Sequence, residues 1–215
     1  MQNQTATYGQ KPISLPYQVV LFERNATLPT SVDEKSGFYY IEKGHVKISA
    51  TYGNVPRTIL INRPGDFVGL SWPANSPSLS ATAISPVTAC FYDRSLTEPL
   101  SRSTDEVQAF LRGQTHGSLL RTGFRIWALQ AHSVKARVAG TLLSLIDPTG
   151  LRIENISERT IETVDRRTLA ELSGTVIETL SRVLTELEEA QIIIRDKRSI
   201  TVLKPAALMK IAASA

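Results

Sequence analysis

Glu178, Ser181 and Arg182, with the aliphatic Ile177 before them, place a carboxylate, a hydroxyl, a guanidinium and a methyl-bearing side chain on one side of a helix. Each has a counterpart on the edge of a base pair. A carboxylate accepts from the cytosine amine, and a guanidinium donates to both guanine acceptors. An aliphatic group meets the thymine methyl. The set suits reading bases in a major groove and has no evident use in bond-making.

The surrounding stretch must hold these groups. From Arg166 it reads RRTLAELSGTVIETLSRVLTELEEAQIIIRDKRSITVL. Thr168 with Glu171, and Thr175 with Glu178, each have the spacing of a capping box, which predicts two helix starts. Leu169, Leu172, Val176, Leu180, Val183, Leu184 and Leu187 recur at helical spacing and are expected to face inward. Gly174 falls where the chain must turn between the helices. Residues 192–195 and 199–203 read as two short strands, with Asp196, Lys197 and Arg198 at their tip. This order predicts a winged helix-turn-helix. Arg166, Arg167, Lys197 and Arg198 are candidates for phosphate contact, and Thr168 and Thr175 complete the expected DNA-facing set. Residues 151–215 carry ten Lys+Arg and ten Asp+Glu, so phosphate contact would need a local cluster of cations. Two capped helices and a hairpin also occur in protein-interaction modules, and that alternative stays open.

The rest of the chain narrows the classes. Net charge is +4, which only mildly favours a polyanionic partner. A single cysteine, Cys90, excludes an intramolecular disulfide and a four-cysteine cluster within one chain. Its flanks, TACFYD, read as a buried strand. HExxH, GxSxG, P-loop and paired-cysteine metal motifs are all missing, and the histidines lack His-x-His spacing, so no enzyme is expected. No cofactor and no metal site are expected. No apolar leader and no run of about 18 apolar residues is present, so the expectation is a cytoplasmic protein without a membrane partner.

Ahead of the DNA-reading stretch, short apolar or alternating runs at 19–22, 37–41, 45–50, 58–61 and 89–92 predict strands, punctuated by Gly44, Gly53 and Pro64-Gly65 and by the turn at 75–77. Such spacing suggests a small barrel or sandwich. A long helix is expected from a cap at Thr104 to about His132. Leu120, Phe124, Trp127, Ala131, Val134 and Val138 alternate steps of four and three along it, and the rule extends back through Gly117, Gly113 and Phe110. Such a seam suits a paired helix in a homodimer, or packing on the β domain. The expected organisation is therefore α+β: β-barrel domain 1–103, dimerisation helix 104–132, winged helix-turn-helix 133–215.

FYYIEKGHVKIS (38–49), PGDFVGL (64–70), SVKARVAGTLLSL (133–145) and LAELSGTVIETLSRVLTELEEAQII (169–193) together resemble the Crp/Fnr transcription regulators, the family of the cyclic-AMP receptor protein and the fumarate–nitrate-reduction regulator. The resemblance covers nearly the whole chain. It implies an N-terminal jelly-roll β-barrel of the cyclic-nucleotide-binding type, a dimer helix, a hinge near 131–133, a palindromic DNA operator and an RNA polymerase partner. The family's Glu-x-x-Ser/Gly-Arg pattern falls on Glu178, Ser181 and Arg182. Ile177 and Ser181 are closer to the fumarate–nitrate-reduction branch, which implies TTGA-like half-sites.

The departures bear on the effector. Where cyclic-nucleotide binders carry a ribose-binding glutamate and a phosphate-binding arginine, this chain has Gly69-Leu70-Ser71 and Leu79-Ser80. Tight cyclic-AMP binding is not expected. The cluster-binding cysteines of the oxygen-sensing branch are also missing. His45, His116 and His132 are expected to be structural and not haem ligands. A small apolar effector near Gly69, Leu70, Ser80, Leu120 and Phe124 and no effector at all are both open. A further alternative is a ligand- or haem-sensing protein acting through protein partners.

Overall fold

The short apolar runs form antiparallel strands, because alternate residues along them find two facing sheets to bury against. A computed structural model describes residues 16–29, 31–32, 35–70, 72, 78–95, 105–147, 159–162, 164–197 and 199–214. Two units emerge, Met1–His116 and Gly117–Ala215.

The first unit holds β1 (Gln18–Phe22), β2 (Thr27–Leu28), β3 (Ser31–Val32), β4 (Lys35–Lys43), β5 (Val46–Tyr52), β6 (Val55–Asn62), β7 (Phe67–Val68), β8 (Leu79–Ala83) and β9 (Val87–Asp93). One sheet runs β1-β9-β4-β3, with β7 also paired to β4, and the other runs β2-β8-β5-β6. Tyr39 and Ile41 of β4, Val46 and Ile48 of β5, Ala81 and Ala83 of β8 and Ala89 of β9 close the core between them. This is the expected jelly-roll arrangement, in which paired sheets protect strand edges. Gly44 turns β4 into β5 at φ +85°, and a Cβ there would stand 2.2 Å from the Pro86 carbonyl oxygen, so only glycine fits. Cys90 is fully buried on β9 beside Phe38, Tyr17 and Tyr92, as its flanks predict.

The five expected strands appear as β1, β4, β5, β6 and β9, with ends moved by a few residues. β2, β3, β7 and β8 were not expected from the sequence. Two-residue strands carry no period, and β8 (LSATA) turns inward only the small Ala81 and Ala83. The turn at 75–77 and the cap at Thr104 lie outside the described residues.

Helix α1 (Asp105–Leu129) crosses from the first unit into the second, which continues with α2 (Val134–Ile146), β10 (Arg159–Glu162), α3 (Arg166–Leu172), α4 (Ile177–Glu189), β11 (Ile193–Arg195), β12 (Ser199–Val202) and α5 (Pro205–Ala212). α1 stops before the expected His132. The Ser133 hydroxyl accepts from Ala136 N at 3.0 Å and starts α2, so the chain must leave the helix first. Leu142 and Leu143 of α2, Leu169 of α3, Leu184 of α4 and Leu208 of α5 meet in one core. α1 and α2 approach closely where Gly140 faces Ala128: an added Cβ would stand 2.7 Å from Ala128 Cβ. The wing sheet is ordered β10-β12-β11, so it has a third strand that the sequence reading missed, as it missed α5. α5 begins with Pro205 at its first position, a placement that costs no hydrogen bond.

Candidate nucleic-acid interface

The helix starts differ from the two expected capping boxes. α3 is capped by Asp165, whose Oδ1 accepts from Thr168 N at 2.8 Å and whose Oδ2 accepts from Thr168 Oγ1 at 3.1 Å. A carboxylate three residues upstream is the better acceptor, so the helix begins earlier. Thr168 is thereby 2% exposed and committed to Asp165, which removes it from the DNA-facing set. Arg166 and Arg167 are exposed in the first turn of α3, with Arg167 Nε 3.4 Å from Glu171 Oε1.

The turn into α4 is tightly specified. Ser173 Oγ donates to Leu169 O at 2.8 Å, Gly174 takes φ +59°, and Thr175 N donates to Ala170 O at 3.0 Å. α4 then starts at Ile177 with Val176 in the capping position, where no side-chain cap bond forms. The expected Thr175–Glu178 box is therefore absent: Thr175 lies one residue too early, and Glu178 is the second residue of the helix. Val176, expected inside, is 60% exposed because it precedes the helix and escapes the helical period.

The outer face of α4 is available. Ile177 is 42% exposed, Glu178 and Arg182 are exposed, and Ser181 is half-buried between them. Among the described residues, neither Glu178 nor Arg182 makes a side-chain hydrogen bond or ion pair. Leu180, Val183, Leu184 and Leu187 are buried on the opposite face and fix its orientation. The acids further along are neutralised locally. Lys135 Nζ lies 2.8 Å from Glu186 Oε2. Arg195 binds Glu188 through its backbone N, at 2.9 Å, and its guanidinium, and these bonds hold the Glu188 carboxyl below the usual carboxylate range. The start of the helix face thus keeps a free guanidinium while two of the three downstream acids are paired. Lys197 is exposed at the wing turn, and Arg198 lies outside the described residues.

Two arginines outside the expected set hold the turn. Arg125 Nη2 donates to Leu172 O at 2.7 Å, and Arg137 Nε donates to Ser173 O at 3.3 Å. Arginines within helices carry no spacing signal that marks a carbonyl contact.

The expected dimer residues divide. Gly113 is exposed, while Gly117 and Leu120 are half-buried. Phe124 and Val134 pack against the core of the second unit, and Trp127 stacks on Phe124 at 5.3 Å. Ala131 lies in the linker and not in the helix, and the Phe110 side chain lies outside the described residues. Leu119 and Ile126 are instead 68% and 52% exposed. They are one heptad apart on a face that Gly123 shares. Of the expected effector residues, Gly69 is buried at φ +84° and Leu70 is half-buried. Their carbonyls accept from Arg94 at 2.9 and 3.4 Å, another contact the sequence did not signal. Ser80 is exposed on β8. Leu120 and Phe124 belong to the second unit. Among the described residues no group of three or more His, Cys, Asp or Glu is placed to hold a metal, and no helix is long and apolar enough to cross a membrane.

Residues 136–211 match the family described as the Crp-like helix-turn-helix domain. The nitrogen fixation regulation protein FixK of Rhizobium meliloti is 28% identical, covering 93% of this chain and 90% of its own. The global nitrogen regulator of Nostoc is 26% identical, covering 92% of this chain and 90% of its own. The structure of FixK2 from Bradyrhizobium japonicum matches with a TM-score of 0.77 at 22% identity, covering 94% of this chain and 100% of that one. A CooA mutant from Carboxydothermus hydrogenoformans matches with a TM-score of 0.66 at 20% identity, covering 92% and 88%.

Proposed function

We propose, from the chain's membership of the Crp/Fnr family of transcription regulators, that it binds a palindromic operator as a homodimer and reads TTGA-like half-sites with α4. The observation that carries this reading is the start of α4, where Glu178 and Arg182 stand exposed and, among the described residues, unpartnered on the second helix of a helix-turn-helix. Arg182 is suited to guanine O6 and N7, Glu178 to a cytosine amine, and Ile177 to a thymine methyl. Because Glu178 is not used as a cap, its carboxylate remains available for a base. Arg166, Arg167 and Lys197, exposed on the first helix and the wing, are suited to the flanking phosphates.

The homodimer is supported by the apolar face of α1 that carries Leu119 and Ile126, since large exposed aliphatic groups one heptad apart favour a partner helix. Two copies of α4 would then enter successive major grooves roughly 34 Å apart. The β unit is proposed to bind cyclic AMP weakly or not at all, because the runs at 69–71 and 79–80 supply neither carboxylate nor guanidinium. An iron–sulfur cluster is disfavoured by the single, buried cysteine. Contact with RNA polymerase would carry the signal to transcription.

Selection of bound sequences from random DNA tests this reading. The expected product is an inverted repeat of TTGA. Recovery of TGTGA repeats would refute the half-site, and recovery of no motif would refute sequence-specific binding.

A further inference from the structure

α1, the linker after it and the helix-turn-helix are tied by backbone carbonyls. Leu172 and Ser173 close α3, and carbonyls at a helix end lack partners within the helix. Arg125, four residues before the end of α1, donates to Leu172 O at 2.7 Å. Arg137 on α2 donates to Ser173 O at 3.3 Å and to the linker carbonyls of Ala131 and His132, each at 3.2 Å. The cations also lie at the negative end of the α3 dipole. Gly174 follows these two carbonyls in the chain, and an added Cβ there would lie 3.7 Å from Leu129 Cδ2 and 4.0 Å from Arg137 Nε. The turn therefore rests on the last turn of α1.

Arg125 has no carboxylate partner among the described residues, and burial pushes its guanidinium down to about 10. A partly buried cation without a counter-ion is costly, so its place here calls for a role beyond filling space. The close contact of Gly140 with Ala128 and the packing of Phe124 join the same stretch of α1 to the core of its unit.

We infer that Arg125 and Arg137 are positioning residues that lock the α3–α4 turn to the end of α1, so that α1 sets the aim of the base-reading face of α4. This rests on the DNA-reading function proposed above. Under this lock the 131–133 linker, whose carbonyls Arg137 holds, moves with the helix-turn-helix.

Arg125→Met tests the lock, with Arg125→Lys as the conservative control. Methionine keeps the packing and removes the donor, whereas lysine retains one donor to Leu172 O. Two readouts are taken on the full chain: amide hydrogen exchange at Gly174 and Thr175, and affinity for the operator recovered from random DNA against a scrambled duplex. For Arg125→Met, turn exchange is expected to quicken by roughly tenfold and preference for the operator to fall by roughly tenfold. Scrambled-duplex binding and the melting temperature should stay near those of the unaltered chain. Arg125→Lys should recover most of both. Unchanged turn exchange in Arg125→Met would overturn the inference, as would an affinity loss shared equally by both duplexes. If the unaltered chain prefers no sequence, the DNA-reading function fails, and the exchange readout still decides the lock.

Discussion

Arg182 stands on the open face of α4 with no partner among the described residues, so truncating it leaves no buried group stranded. Arg182→Ala is expected to cost about 1–3 kcal/mol of discrimination between operator and scrambled DNA, measured by competition titration, with no fall in melting temperature. Val176 gives the complementary case. It occupies the capping position of α4 and makes no cap bond, so Val176→Thr should stabilise the fold by about 1 kcal/mol in thermal melts. An unchanged or lower melting temperature would show that the backbone there cannot accept a side-chain cap. Glu178 and Arg182 were legible in the sequence because polar groups at helical spacing opposite a leucine stripe must face outward. Val176 and Thr168 were misread because cap and period compete over one or two residues, and Asp165 settled that competition by offering two oxygens.

The helix proposed to read bases was legible as an element, since α4 buries Leu180, Val183, Leu184 and Leu187 in a clean stripe. The wing was legible only in part. β11 and β12 are short apolar-rich runs on either side of a polar tip, but β10 pairs with β12 from more than 30 residues upstream, and long-range pairing leaves no local mark. The wing is also joined to α4 through Glu188 and Arg195. The folded Glu188 carboxyl is held down, so its contribution is fully present above the unfolded value, about 4.3, and is lost as pH falls through the lower folded value. Acid titration followed by NMR should show Glu188 protonating below the usual glutamate range, and Arg195→Ala should return it to that range. Both side chains are only half-buried and solvent screens the pair, so little change in global stability is expected.

At the scale of the whole molecule, the order β-barrel, long helix, winged helix-turn-helix was readable from changes of period along the chain. Which face of α1 stays open was not. The seam through Phe124 and Val134 is regular, yet those side chains are taken by the core of the second unit, and Leu119 and Ile126 are left outside. Periodicity reports that a stripe is apolar and is silent on what covers it. Ile126→Glu should therefore convert the proposed dimer to a monomer in sedimentation experiments and weaken operator binding, while Phe124→Glu should unfold the DNA-binding unit. A dimer that survives Ile126→Glu would place the interface elsewhere. Sequence-specific recognition by paired copies of α4 is tested by titrating the purified chain against a TTGAT-spacer-ATCAA duplex and a scrambled duplex at one fixed salt concentration. A preference of about a hundredfold or more for the palindrome is expected. Equal, weak binding to the two duplexes would contradict it.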